Sequence, residues 1–207
     1  MFFALKIFLF SAIFTSFVQT KIRPELVDDA NKFINILHFN DAYNVYWAPQ
    51  FAHKFMSLSD AKTIRAFSGD IYSPSSESRY LRGAQFEEFF KAIKLNVAVP
   101  GNHEFDMTVE HFLKLQKVDQ LPWLLPNFVK IAGVVNEHSP FTAELLKSLP
   151  TLRTIKINGF NVGFFGLFDK PSYLASRLTR TDITHTDPLQ TAREMSKLLR
   201  KQGCDLV

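Results

Sequence analysis

Three apolar segments of this chain each end in a polar loop, and this repeated arrangement constrains the fold more than any other feature of the sequence. The segments have the residue types of buried strands and read FINILHF (33–39), TIRAF (63–67) and VAV (97–99). Stretches with helical periodicity separate them, which is typical of an α/β fold. In such folds the ligand crevice lies outside the carboxyl ends of the strands. We therefore expect Asn40-Asp41, Gly69-Asp70 and Gly101-Asn102-His103 to meet at one edge of the sheet.

The rest of the chain is predicted to add helices and one hairpin to a mixed sheet. Apolar spacing favours helices at about 51–59, 81–95, 108–118 and 188–202. Between TLRTIKI and FNVGFFGLF, the pair Asn158-Gly159 is typical of a two-residue type I′ turn and predicts a β-hairpin. LPWLLPNFV contains two prolines and is predicted to be an extended segment or edge strand. Residues 204–207 read as the beginning of another strand.

The first 20 residues are interpreted as a secretory signal peptide, because Lys6 precedes a run of apolar and small residues. The alternative is an uncleaved membrane anchor, although the run is short for a spanning helix of about 20 residues. Residues 21–31 are predicted to form a linker and residues 32–207 the globular domain. The single Cys204 offers no disulfide framework. A net charge of +4 with scattered basic residues gives no stripe for nucleic acid, so no nucleic-acid partner is expected.

The polar loops contain the groups that a metal-dependent hydrolase needs. Asp41 or Asp70 alone is most often a turn residue, but carboxylates with an Asn and a His at one sheet edge form a hard-cation site with a proton donor. A bridging carboxylate, for which Asp70 is the natural choice, can hold two divalent ions about 3.5–4 Å apart that activate a hydroxide. Asp41 would complete the shell of one ion and Asn102 that of the other. His103 would act on the substrate, with Asp106 orienting its ring.

Three segments, matching in order and spacing, carry a resemblance to a known family: ILHFNDAYNV, FSGDIYSPS and VPGNHEFD. They resemble the first three motifs of the calcineurin-like metallophosphoesterases, and the Asp that ends the third favours the 5′-nucleotidase branch. The resemblance implies a four-layer α/β/β/α metallophosphoesterase sandwich with two divalent metal ions, which could be Zn, Mn, Mg or Fe. It carries over Asp41, Asp70 and Asn102 as metal ligands, Asn102 and His103 as substrate-binding residues, and His103 with Asp106 as the catalytic dyad. The implied substrates are phosphate monoesters of nucleosides and related nucleotide derivatives.

Two features depart from the family pattern. The first motif usually reads Asp-x-His, but this chain has Asp41-Ala42-Tyr43. Because a phenol ligates a metal only when its pKa is much lowered, we predict that Tyr43 is not a ligand and that the first metal site is weakened or filled by water. The family also supplies further metal-binding histidines and a nucleobase-binding C-terminal domain, so residues 32–207 are interpreted as an N-terminal part of the domain, incomplete at its C-terminal side. His138 and His185 are predicted to be surface loop residues.

Two further residues have structural interpretations. His38 lies inside the first strand and is predicted to be a hydrogen-bonded core residue. Glu104 is predicted to shape its loop as a hydrogen-bond acceptor and not to act as a catalytic acid.

The sequence favours a secreted, metal-dependent phosphoesterase that hydrolyses nucleotide monoesters by a hydroxide activated at a dinuclear centre. One alternative is a catalytically inactive secreted binding module or truncated product, which the missing ligands motivate. Another is a phosphoesterase that acts on a non-nucleotide phosphate ester. The expected partner is a nucleotide or another phosphate ester, and membrane contact would occur only through the N-terminal segment if it remains uncleaved.

Overall fold

The computed structural model of the chain describes residues 4–11, 18–19 and 33–207. The predicted linker at residues 21–31 lies outside the described residues, as does part of the predicted signal peptide. The strands are β1 (Ala4–Ser11), β2 (Val18–Gln19), β3 (Phe33–Asn40), β4 (Thr63–Phe67), β5 (Val97–Ala98), β6 (Phe128–Lys130), β7 (Leu152–Ile157), β8 (Phe160–Phe165) and β9 (Ile183–His185). The helices are α1 (Ala48–Ser57), α2 (Ser78–Leu81), α3 (Glu87–Ile93), α4 (Val109–Asp119), α5 (Ser139–Ser148), α6 (Lys170–Ala175) and α7 (Pro188–Lys201). Short 3₁₀ turns lie at Val45–Trp47, Ala84–Phe86, Asn102–Phe105 and Arg177–Arg180.

The main sheet has the strand order β2-β1-β3-β4-β5. Strands β1, β3, β4 and β5 run parallel to one another, whereas β2 is antiparallel to β1, so the sheet is mixed as predicted. The three strands expected from the sequence are therefore confirmed as consecutive neighbours. Because they are parallel, the polar loops that follow them emerge at the same edge.

One face of the main sheet is covered by helices. Leu37 and Phe39 of β3 and Phe67 of β4 point into an apolar cluster with residues of α1, α3 and α4, because alternate residues of a strand face the same side. The cluster is largely aromatic: the Phe39 and Phe67 ring centroids are 4.7 Å apart, and Phe39 meets Phe55 of α1 edge to face at 5.5 Å. The many phenylalanines therefore serve as core packing, which fixes the strand ends against the helices.

The opposite face of the main sheet packs against the predicted hairpin. Ile34, Ile64 and Val97 form a second apolar cluster with Phe160 and Val162 of β8. The hairpin pairs β7 with β8 from Leu152↔Phe165 to Ile157↔Phe160. Its turn residues have the positive φ angles that a type I′ turn requires, 47° and 83°, which confirms the prediction for this turn.

Helix α7 lies on the outer side of the hairpin. A Cβ added to Gly163 of β8 would lie 2.9 Å from both Leu199 Cδ atoms, so a larger residue here would require the Leu199 side chain to move. The layers are thus helices, main sheet, hairpin and α7, which confirms the predicted four-layer α/β/β/α arrangement. Leu206 also pairs with Val162, so the last residues begin a strand as expected.

Two predictions were wrong. The helix expected over residues 81–95 is interrupted, because Arg82 and Gly83 adopt left-handed conformations with φ of 51° and 99°, and the regular helix α3 begins only at Glu87. A Cβ on Gly83 would lie 2.6 Å from Leu115 Cδ1, so the chain turns sharply there against α4. His185 is not a loop residue, since it ends β9 and pairs with Phe128 of β6.

The segment interpreted as a signal peptide contributes β1, which pairs in parallel with β3 from Ala4↔Phe33 to Ser11↔Asn40. A signal that is removed cannot remain in the sheet, so the signal peptide stays a prediction. No helix in the described part of the chain is long and apolar enough to cross a membrane.

Candidate metal centre

The first loop of the candidate site follows β3 and is bonded directly to the second. Asp41 has a left-handed backbone with φ of 55°, a conformation that Asp tolerates better than most residues. The Asp41 N–H donates to the Gly69 carbonyl at 3.1 Å, and the Ala42 N–H donates to the Asp70 carbonyl at 2.9 Å. These two bonds fix Asp41 beside Asp70. The expected convergence of the first two polar loops is therefore present in the structure.

The second and third loops are in direct contact through their backbones. Gly69 has φ of 81°, and a Cβ built on it would overlap the backbone of Gly101. A Cβ on Gly101 would in turn overlap the carboxylate of Asp70. Asp70 Oδ1 accepts a hydrogen bond from the His103 N–H at 2.9 Å. Both glycines are thus required because these loops touch, and the contact positions Asp70 at the start of the third loop.

Glu104 holds the second and third loops together. Its side chain is only 2% exposed. Oε2 accepts from the N–H groups of Gly101 at 2.6 Å and Asp70 at 2.7 Å, and Oε1 accepts from Ile71 at 2.8 Å and Tyr72 at 3.3 Å. Burial and the nearby Asp70 charge raise its pKa, while the backbone bonds oppose that rise. The predicted role as a loop-shaping acceptor agrees with these contacts, which tie four backbone donors to one carboxylate.

His103 and Asp106 form a hydrogen-bonded pair in the third loop. His103 Nδ1 lies 2.7 Å from Asp106 Oδ2, and the same carboxylate oxygen also accepts from the Ser73 hydroxyl. The two side chains are 28% and 30% exposed, so they remain open to a ligand. With Asp106 ionised, Nδ1 carries the proton that it donates, and Nε2 is left on the far side of the ring. Ser73 was not predicted as part of the site, because its segment, SPSSES, contains no pattern that indicates a partner more than 30 residues away.

Tyr43 replaces the histidine of the family pattern and engages its neighbours in the site. Its hydroxyl donates to Asp41 Oδ1 at 2.7 Å, and Asn40 Nδ2 donates to the other carboxylate oxygen. The Tyr43 ring meets the His103 ring edge to face with centroids 5.4 Å apart. Burial and the hydrogen bond to Asp41 raise the pKa of the phenol far above its ordinary value. A neutral phenol is a poor metal ligand, and the exclusion of Tyr43 from the ligand set stays a prediction.

The electrostatics of the cluster suit a cation. Burial raises the pKa of Asp70, the hydrogen bond from the His103 N–H opposes the rise, and the carboxylates of Asp41 and Asp106 add to it. Like charges held this close destabilise one another unless a positive charge is placed among them. The donor set of Asp41, Asp70 and Asn102 consists of oxygens, which Mg²⁺ and Mn²⁺ prefer. These residues therefore fit a divalent cation in chemical type.

The predicted set of metal ligands contains few donor groups. Among the described residues, no group of three or more His, Cys, Asp or Glu side chains is arranged to hold an ion. Each ion of a pair takes about four to six donors, so two carboxylates and one amide leave most positions to water or substrate.

Three other histidines make their contacts outside the candidate site: His38, His138 and His185. His38 Nε2 lies 2.7 Å from Ser68 Oγ, which fits the predicted hydrogen-bonded role, while its buried Nδ1 has no hydrogen-bond partner among the described residues. Burial lowers the pKa of this ring. The His185 ring lies against the Tyr173 ring with centroids 5.1 Å apart, and His138 immediately precedes α5. Their contacts involve none of the predicted metal ligands.

Comparison with known proteins places this site in a family. The sequence profile described as "Calcineurin-like phosphoesterase" matches residues 34–207, which is most of the chain. The chain belongs to the calcineurin-like phosphoesterase family. Members of this family use divalent metals. No curated protein matches the chain in sequence.

Several solved structures share the fold of this family member. A 5′-nucleotidase precursor from Thermus thermophilus superposes with a TM-score of 0.63 at 16% identity, covering 83% of this chain and 35% of that one. The NAD nucleotidase of Haemophilus influenzae gives 0.64 at 19% identity, covering 83% and 36%. The calcineurin-like phosphoesterase YfkN from Bacillus subtilis gives 0.56 at 16% identity, covering 83% and 59%. The aligned region thus makes up about a third of the length of the first two structures.

Proposed function

We propose that this calcineurin-like phosphoesterase hydrolyses phosphate monoesters of nucleotides at the centre formed by Asp41, Asp70 and Asn102. One observation carries the proposal: His103 donates its backbone N–H to Asp70 Oδ1 while its ring bonds to Asp106, so one residue joins the proposed ligands to the acid–base pair. The nucleotide part rests on the names of similar structures, which are a 5′-nucleotidase precursor and an NAD nucleotidase.

The chain's own residues have defined tasks in this reaction. Asp70 would bridge two ions, with Asp41 and Asn102 as their remaining protein ligands. Divalent ions supply Lewis acidity and lower the pKa of bound water when they occupy such a site. Asp106 would orient the His103 ring and stabilise its doubly protonated form, in which Nδ1 donates to Asp106 and Nε2 donates its proton to the ester oxygen as the bond from phosphorus to that oxygen breaks. Asn102 and His103 together would bind the phosphoryl oxygens.

The proposal is tested by hydrolysis of an aryl phosphate and of nucleoside monophosphates by the purified chain with added Mn²⁺ or Zn²⁺. We expect His103→Ala to lower kcat/KM by about 100-fold or more, the usual contribution of a positioned acid. His53→Ala, on the exposed face of α1, is the matched control and should retain wild-type activity. Activity that His103→Ala leaves unchanged would overturn the assignment.

We also propose that residues 1–20 direct secretion and are removed. The support is the apolar run after Lys6. Mass measurement of protein collected outside expressing cells tests this proposal. A mass that includes residues 4–11 would refute cleavage and would keep β1 in the sheet.

A further inference from the structure

The Asp106 carboxylate accepts two hydrogen bonds on one of its oxygens. His103 Nδ1 lies 2.7 Å from Asp106 Oδ2, and the Ser73 hydroxyl donates to the same oxygen. The two donors come from different loops, since Ser73 belongs to the second loop and His103 to the third. A bond to the imidazole ring alone leaves a carboxylate able to turn about its Cβ–Cγ bond, because this torsion has broad minima. The second donor, which comes from another part of the chain, restricts that rotation.

Ser73 is itself held in place by the residues that precede it. The backbone N–H groups of residues 70–72 all donate to the buried Glu104 carboxylate, at 2.7, 2.8 and 3.3 Å in chain order. The Tyr72 side chain is buried, and its hydroxyl donates to Asp119 at the end of α4. The Ser73 side chain is only 9% exposed. Its hydroxyl is therefore presented to Asp106 from a backbone that is fixed on both sides of the preceding peptide.

The neighbouring Ser78 makes a different kind of contact. Its hydroxyl donates to the Ser75 carbonyl at 2.9 Å, and its oxygen accepts from the Ser75 N–H at 2.9 Å, so both bonds stay within the segment SPSSES. Ser78 is as well buried as Ser73, with 5% of its surface exposed. The bond from Ser73 instead crosses to the third loop. Ser78 thus provides a control for the loss of a buried hydroxyl from the same segment.

We propose that Ser73 is a positioning residue whose hydroxyl holds the Asp106 carboxylate in the orientation that aligns the His103 ring. The inference rests on the proposed function, in which His103 is the acid, and adds to it a residue that acts only through Asp106. The aligned ring has a structural marker in the same site. The Tyr43 ring meets the His103 ring edge to face, with centroids 5.4 Å apart.

The first test observes the His103 ring in the full chain with EDTA and without substrate. Nuclear Overhauser effects between the ring protons of Tyr43 and His103 report the edge-to-face contact, and His103→Ala identifies the resonances. We expect Ser73→Ala to weaken these effects, because the Asp106 carboxylate can then turn and the ring loses its alignment. Ser78→Ala should leave them unchanged. Unchanged effects in Ser73→Ala, or an equal loss in Ser78→Ala, would overturn the proposal.

The second test asks whether Ser73 acts through Asp106 in the hydrolysis of an aryl phosphate with Mn²⁺. Ser73→Ala should lower kcat by about tenfold or more, as expected for one lost hydrogen bond to a charged group, and should change KM by less than about twofold. In an Asp106→Ala background the same substitution should change kcat by less than about twofold, because there is no carboxylate left to orient.

Equal losses of kcat in both backgrounds would contradict the proposal. So would a rise in KM without a loss of kcat, since it would indicate that Ser73 binds the substrate directly. If the wild-type chain does not hydrolyse the substrate, the proposed function fails, and the ring contacts measured with EDTA decide the role of Ser73.

Discussion

Glu104→Gln tests whether one buried carboxylate builds the candidate site. The change keeps the size of the side chain but replaces one acceptor oxygen with an NH₂ group. Whichever oxygen is replaced, two backbone N–H groups then face a donor: Gly101 and Asp70 on one side, or Ile71 and Tyr72 on the other. Because the side chain is 2% exposed, water cannot take the place of the lost acceptor.

The size of the effect follows from these contacts. Hydrogen bonds to a charged group contribute about 1.5–3 kcal/mol each, so the loss of two amounts to about 3–6 kcal/mol. Glutamine also removes a buried charge, and burial raises the pKa of Glu104, so part of this loss is offset. We expect a net decrease of about 3 kcal/mol in the free energy of unfolding, which is a large share of the roughly 5–15 kcal/mol of a typical domain.

Urea unfolding measures this decrease as a lower midpoint with an unchanged slope. The matched control is Glu110→Gln, which removes the carboxylate that pairs with Lys114 at 2.7 Å on the exposed face of α4. Surface pairs of this kind contribute about 0.5 kcal/mol or less. A Glu104→Gln midpoint as close to wild type as that of the control would refute the role assigned to Glu104.

Two further changes test contacts of the site, and a third tests the buried histidine of β3. Gly101→Ala places a Cβ against the Asp70 carboxylate, so we expect about a 100-fold loss of kcat/KM in the aryl phosphate assay, as for a reacting group displaced by about an ångström. Tyr43→Phe removes the hydroxyl that bonds to Asp41 but removes no proposed ligand. Elemental analysis should therefore find as many bound ions as in wild type. Loss of one ion would show that Tyr43 is a ligand. Burial lowers the folded-state pKa of His38, so the unfolded chain binds its proton more readily and stability falls as the pH drops below about 6.5. His38→Gln should flatten that fall in urea midpoints measured from pH 7.5 to pH 5, and an unchanged slope would contradict the assignment.

The elements predicted correctly are those with strong local signals. The hairpin has Asn-Gly between two β-rich runs, and Thr63–Phe67 is a short β-branched and aromatic run that stops at Ser-Gly-Asp. Helix α5 was not predicted, because it buries only Thr142 and Leu145 and so has a weak apolar stripe. The break at Arg82-Gly83 was not predicted, because the apolar spacing after residue 83 indicates a continuous helix. Gly83 was itself a local signal for a break.

The location of the candidate site could be predicted from the sequence, but the contacts that hold its residues in place could not. Parallel strands bring their carboxyl ends together, so a polar loop after each strand was enough to expect Asp41, Asp70 and Asn102 at one edge. The bonds from Ser73 to Asp106 and from Ile71 to Glu104 join residues that are far apart in sequence. No local pattern encodes such contacts, because they are decided by how the completed layers pack.

Contacts within the protein hold the loops of the site together. Glu104 binds four backbone N–H groups, and Gly69 and Gly101 allow the second and third loops to touch. An ion that arrives therefore has little chain to order, and its affinity depends mainly on how many ligands it finds. The proposed ligands Asp41, Asp70 and Asn102 would supply only three oxygens, so the number of ligands would limit the affinity, whereas relief of the repulsion between the carboxylates would favour binding. The negative charge of the three loops thus attracts a cation, although the loops offer few ligands to hold it. Metal content and hydrolysis must therefore be measured separately in this chain.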